Sequence, residues 1–118
     1  MLTTVPPRRE RLYTRAARPA LDSYGEPSER LEWDTERKPL HRARLERGPS
    51  IVRDLEGMTL AEDEGLLLVS RRWEPDPATT RVETDGEVWT ITSLPTVRQS
   101  LASGVHTVAK LKRQKVTP

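Results

Sequence analysis

RVETDGEVWTITSLP, Arg81 to Pro95, decides the fold of this chain. Asp85-Gly86 stands between two runs that alternate apolar and polar side chains, the strongest short-range hairpin signal a sequence offers. A two-residue turn of type I′ then pairs Thr84 with Glu87, Glu83 with Val88 and Val82 with Trp89. Side chains alternate across a strand, so Val82, Thr84, Glu87, Trp89 and Ile91 share one face. Val82, Trp89 and Ile91 make the buried patch on that face, a cross-strand contact of roughly 0.2–1 kcal/mol beyond burial itself. Pro95 ends the second strand.

Working outward, LLLVSRRW (66–73) is a continuous apolar run bounded by Gly65 and by Pro75 and Pro77. It is too short to nucleate a helix and reads as a buried strand. GVHTVAKLKRQK (104–115) sets Val105, Thr107, Ala109 and Leu111 on one face and His106, Lys110 and Lys112 on the other, a last strand with one wet side. Near the start, RRERLYTRAARP (8–19) fits either a short strand or one to two turns of helix. Asp22-Ser23-Tyr24-Gly25 is turn chemistry, with Asp bonding the backbone ahead of it and Gly25 supplying positive φ. Pro27 then interrupts the chain, and a new element begins near Leu31 and Trp33. KPLHRARLERGP (38–49) alternates imperfectly and reads as a strand stopped by Gly48-Pro49. Ser50 to Gly65 lacks a clear pattern; Ile51, Leu55 and Met58 permit a helical turn, and otherwise the segment is a long loop. Several short strands around one long loop predict an all-β small barrel or sandwich.

The composition bounds the rest. At 118 residues the chain is one small domain. Only 34% of residues are hydrophobic, Phe is absent, and ten prolines and 32% charged residues imply extensive loops and solvated faces. Few large apolar side chains are available for a core, so marginal stability is expected for the isolated chain. The net charge of +2 is too balanced for a protein whose main task is coating nucleic acid. The charge is unevenly spread, with five Arg and one Glu from Arg8 to Arg18 and four basic residues and no acid from Lys110 to Lys115. Such ends are either solvated or docked on an acidic partner or phosphate. There is no Cys, which excludes disulfides, thiolate metal sites and a cysteine nucleophile. No apolar run exceeds the four residues Leu66 to Val69, and the first residues lack the apolar core of a signal peptide. A soluble chain, made and kept inside a cell, is expected.

No catalytic pattern emerges. His41 and His106 fall in separate strands without the third ligand a zinc site requires. Glu62-Asp63-Glu64 lacks the alternating spacing of a calcium loop and reads as a solvated acidic tip. No nucleophile elbow or phosphate-cradling glycine loop occurs. Trp33, Trp73 and Trp89 are read as core or interface side chains before base-stacking platforms, because the chain has so few aromatics to fill a core.

Taken in order, the basic first element, DSYGEP (22–27) followed by LEW (31–33), ERGPSIVRDLEGM (46–58), and the hairpin with its Val82, Asp85, Gly86, Trp89 and Ile91 resemble a known family. The pattern is similar to the head-closure, or stopper, proteins of tailed bacteriophages, which are small head–tail connectors; the likeness spans roughly Arg8 to Arg113. It implies a single small β-barrel, SH3-like or related, with an extended arm at 1–7, a long central loop at about 48–65 and a tail at 114–118. It further implies a ring of copies of the chain, seated on portal or adaptor proteins, that closes the head channel after packaging and receives the tail terminator or tail tube. DNA passes through the lumen; no cofactor, metal or membrane is involved. The protein is then made in the bacterial host cytoplasm and resides in the virion. By the same resemblance the loop gates the channel, with Ser50, Arg53, Asp54, Glu62, Asp63 and Glu64 as its polar residues. Arg8, Arg9, Arg11, Lys112, Arg113 and Lys115 are placed at protein contacts, because a lumen that binds phosphate retards DNA. Trp33 and Trp73 are interface candidates or core residues. Two rivals stay open: another neck component (tail terminator or head–tail adaptor), and a small β-barrel nucleic-acid-binding module.

Overall fold

The computed structural model describes residues 10–52, 58–102 and 104–115. All regular structure among them is β. The strands are β1 (Tyr13–Leu21), β2 (Pro27–Trp33), β3 (Lys38–Pro39), β4 (Ala43–Arg47), β5 (Ser50–Val52), β6 (Met58–Leu60), β7 (Glu64–Val69), β8 (Thr80–Thr84), β9 (Glu87–Ile91), β10 (Thr96–Ser100) and β11 (Gly104–Arg113). Nine of them form one antiparallel sheet in the order β2-β1-β8-β9-β11-β7-β4, with β10 on β11 and β3 on β1; β5 and β6 make a separate hairpin. The sheet does not close into a ring of ladders.

The central hairpin has the expected register, Val82 opposite Trp89, Glu83 opposite Val88 and Thr84 opposite Glu87. Its turn differs from expectation. Gly86 carries positive φ (72°), but among the described residues Arg42 is the only non-glycine that does, so Asp85 stays on the ordinary side. That sign pattern belongs to type II, not type I′.

The start of β1, the segment after β3 and the β4 end of the sheet contribute to one core. Leu12, Leu40 and Leu45 meet Val82, Trp89, Ile91, Leu111, Ala109, Leu67 and Val69, which requires the sheet to curl around them. The chain bends within 40–42, where Arg42 takes a φ of 59°. Before the bend β3 pairs with β1, and after it β4 pairs with β7. The expected single strand from Lys38 is therefore two short ones.

The second face of the sheet is also partly dry. Leu66 and Val108 are buried with Leu60, and Leu68 packs against them. The apolar run at 66–69 thus serves two cores, with Leu67 and Val69 on one side and Leu66 and Leu68 on the other, as expected for a strand buried on both faces. The outer side of β11 is correspondingly not all wet. Leu60 belongs to β6, whose pairing with β5 (Ser50 with Leu60, Ile51 with Thr59, Val52 with Met58) replaces the expected loop or helical turn at both ends of that segment. Two further expectations are corrected. Pro27 begins β2 and does not interrupt it, because the first position of a strand tolerates a missing N–H. β10 was not anticipated at all.

Candidate interaction surface

Three clusters of charge organise the surface. The first lies where β4, β9 and β11 converge over the Trp89 ring. Arg47 bonds Glu10 and, through Nε at 3.1 Å, Glu87, while Arg113 Nη1 reaches Glu87 Oε2 at 3.3 Å. The guanidinium carbons of Arg47 and Arg113 stand 5.9 and 6.0 Å from the indole centroid. The hydrogen bonds of Glu10 and Glu87 hold Arg47 above its ordinary pKa. Burial pushes the Glu87 carboxyl up, but bonding and charge from Arg47 and then Arg113 outweigh it, leaving the group below its usual range. Thr84 Oγ1 donates to Arg11 O at 3.0 Å, which fixes the strand entrance beside Glu10.

The second cluster centres on Glu83, only 7% exposed. Arg15 Nε and Arg81 Nε donate to its Oε2 at 2.7 and 2.8 Å. Burial again raises the carboxyl's pKa, and the two arginines bring it below the usual range. Arg15 also donates to the carbonyls of Asp34 and Thr35 at 2.6 and 2.9 Å, and Arg81 stacks on Trp33 at 4.4 Å. These contacts anchor the end of β2 to the sheet.

The third cluster joins the acidic tip to the last strand. Lys110 Nζ lies 2.8 Å from Glu64 Oε2 and Lys112 Nζ 3.7 Å from Asp63 Oδ2. The Lys110 bond, then the Ala61 N–H, depress the Glu64 carboxyl. Glu62 is exposed, but Asp63 and Glu64 are paired, so this is not a wholly solvated tip.

Of the residues singled out from the sequence, Trp89, Val82 and Ile91 lie in the core, Asp85 and Gly86 at the exposed turn. Trp73 packs half-buried against the core, its N–H donating to Thr107 Oγ1 at 2.9 Å. Trp33 is half-buried and Lys115 exposed. Ser50 starts β5. Arg8, Arg9, Arg53 and Asp54, the arm at 1–7 and the tail beyond 115 lie outside the described residues. Asp63 and Glu64 come together with β11, while Glu62 is exposed. Among the described residues no three His, Asp or Glu side chains gather as a metal site.

One surface was missed. Beyond Ala17, β1 and β2 continue as a two-stranded arm whose tip turn is built as the sequence implied: Asp22 Oδ1 accepts from the N–H groups of Tyr24 and Glu26, both at 2.9 Å, and Gly25 has φ of 77°. Leu21, Tyr24 and Leu31 are exposed on it, Tyr24 to 90%. The turn was legible in DSYG; the arm was not, because β2 alternates mostly charged residues with Leu31 and Trp33 and gives no sign of standing free.

Comparison with known proteins finds no matching family model, no matching curated protein and no matching solved structure.

Proposed function

We propose that this chain is a structural protein of the neck of a tailed bacteriophage, forming a ring between portal or adaptor and tail that closes the head channel and receives the tail. The observation that carries this reading is the small antiparallel sheet itself: Leu12 before β1, Leu40 after β3 and Leu45 of the edge strand β4 share one core, and the strand edges and ion-paired surface are its prominent features. The hairpin of Val82, Asp85, Gly86, Trp89 and Ile91, on which the resemblance to stopper proteins rests, stands at its centre. A small barrel is the finer reading, supported by the bent β3–β4 run, whose halves pair with β1 and β7. Open edges favour assembly, since an unpaired strand is a template for another chain.

The nucleic-acid module is the weaker rival. It relies on the Arg-rich first segment and on exposed Trp, but Trp89 is buried and Trp33 and Trp73 are half-buried. The basic residues Lys110, Lys112 and Arg113 of the last strand each have a carboxylate partner within the chain.

Electron microscopy of lysates from a phage deleted for this gene tests the proposal. DNA-leaking, tail-less heads beside free tails of normal length are expected. Tails of uncontrolled length would reassign the protein as a terminator, and normal particles would overturn the neck reading.

A further inference from the structure

The β1–β2 arm is anchored at its root, and beyond it β1 pairs with β2 alone. β8 pairs with β1 as far as Ala16 opposite Thr80, and a last bond runs from Ala17 N to Thr79 O at 2.7 Å. Past that point only two strands remain, and an isolated two-stranded hairpin is marginal in water. β2 stands at the end of the strand order, so its outer edge has no neighbour among the described residues.

The backbone bonds show which groups this edge offers. Asp34 N donates to Ala16 O at 2.9 Å, so Asp34 and, two residues back, Glu32 turn their peptide groups toward β1. Leu31 and Trp33, opposite Pro19 and Ala17, therefore turn their N–H and C=O groups outward. The other edge of the arm carries Pro19, which has no N–H to offer; β2 has no proline after Pro27.

The side chains along this edge are self-complementary. If two β2 strands lie antiparallel with Leu31 on the two-fold axis, Leu31 faces Leu31, and Arg30 of each copy faces Glu32 of the other. Leu31 is then a hydrogen-bonded pair, as its outward peptide groups require. A shift of one residue would place Glu29 against Glu32 instead. Neither Arg30 nor Glu32 has an ion-pair partner among the described residues, so both charges are free for this use. On the opposite face Ala17, Pro19, Leu31 and Trp33 line up on the arm, and doubling it makes a four-stranded apolar strip.

We propose that the free edge of β2 is a self-association site, taking a second copy of this chain in an antiparallel, two-fold pairing centred on Leu31. The proposal does not rest on the neck reading. A two-fold contact closes on itself as a pair, so the contacts of a ring would lie elsewhere on the molecule.

Sedimentation equilibrium of the full chain, with the fold checked by circular dichroism, tests it. A dimer with a dissociation constant on the order of 10 µM is expected. R30E and E32R should each weaken it at least about tenfold by setting like charges opposite one another. The double variant R30E/E32R, which exchanges the charges, should restore it. The amides of Leu31 and Trp33 should gain protection from hydrogen exchange as concentration rises. A monomer at all concentrations, or an oligomer of any size indifferent to R30E and E32R, would overturn the proposal.

Discussion

Glu83 is the residue at which sequence distance and energetic weight diverge most. It is 68 positions from Arg15, yet Arg15 Nε and Nη2 both reach it, at 2.7 and 3.2 Å, and Arg81 completes the cluster from the same strand. Removing the carboxylate would leave two guanidinium groups side by side without their shared partner, with Arg15 held only by Asp34 and the Thr35 carbonyl. A fully buried pair broken in this way costs roughly 3–5 kcal/mol and an exposed one under about 1. The arginines keep about a fifth of their side-chain surface in water, at 19% and 23% exposed, which puts Glu83→Ala between these limits. A loss of about 2 kcal/mol is expected, read as a lower urea midpoint at unchanged slope. Arg18→Ala, whose partner Asp34 is 3.6 Å away on an open surface, should shift the midpoint by a quarter of that or less, within the roughly 0–1 kcal/mol of exposed pairs.

Among the elements, β7 shows why a glycine can hold a strand in place without any special backbone angle. A Cβ built on Gly65 would meet Trp89 Cζ3 at 2.9 Å and Leu45 Cδ1 at 3.1 Å, so the missing side chain is what lets the indole and Leu45 approach the backbone of β7 this closely. Gly65→Ala should force a rearrangement of the core, with a loss of about 1–3 kcal/mol and an altered near-ultraviolet signal from Trp89. Gly86→Ala makes a contrasting case: nothing lies within 4 Å of its Cβ position, and only its positive φ resists substitution. Its cost should be about 1 kcal/mol, with the Trp89 signal unchanged. These two glycines also mark what the sequence made legible. Asp85-Gly86 announced its hairpin because register, turn and alternation all fall within eight neighbouring residues. β10 carried no such signal: Val97 is its only apolar residue, and its partner β11 defines it through pairs such as Arg98 with His106. β5 and β6 were hidden likewise, since among the described residues Leu60 is buried with Leu66 and Val108, which lie in other strands. The ion-paired state of Asp63 and Glu64 depended on where β11 would lie, which composition and periodicity do not encode.

At the scale of the whole molecule, the three charge clusters make stability a function of pH with a definite sign. Glu64, Glu83 and Glu87 all sit below the ordinary glutamate value of 4.5, held there by Lys110, by Arg15 and Arg81, and by Arg47 and Arg113. Each carboxyl therefore binds its proton more tightly in the unfolded chain than in the folded one. Where the unfolded state holds more protons, stability rises with pH. The contribution is fully present above the unfolded value near 4.5 and is lost as pH falls through the lower folded values. With ten buried residues around Trp89 among the described residues, this core leaves little hydrophobic reserve to mask the effect. The urea midpoint should consequently be flat from pH 7 down to about 5 and fall steeply below it. Glu83→Gln should lower the midpoint at pH 7 and flatten the acid limb, because one of the groups that must be protonated has gone. A midpoint that rises on acidification, or an acid limb equally steep in wild type and Glu83→Gln, would show that the Glu83 cluster does not anchor the end of β2 to the sheet.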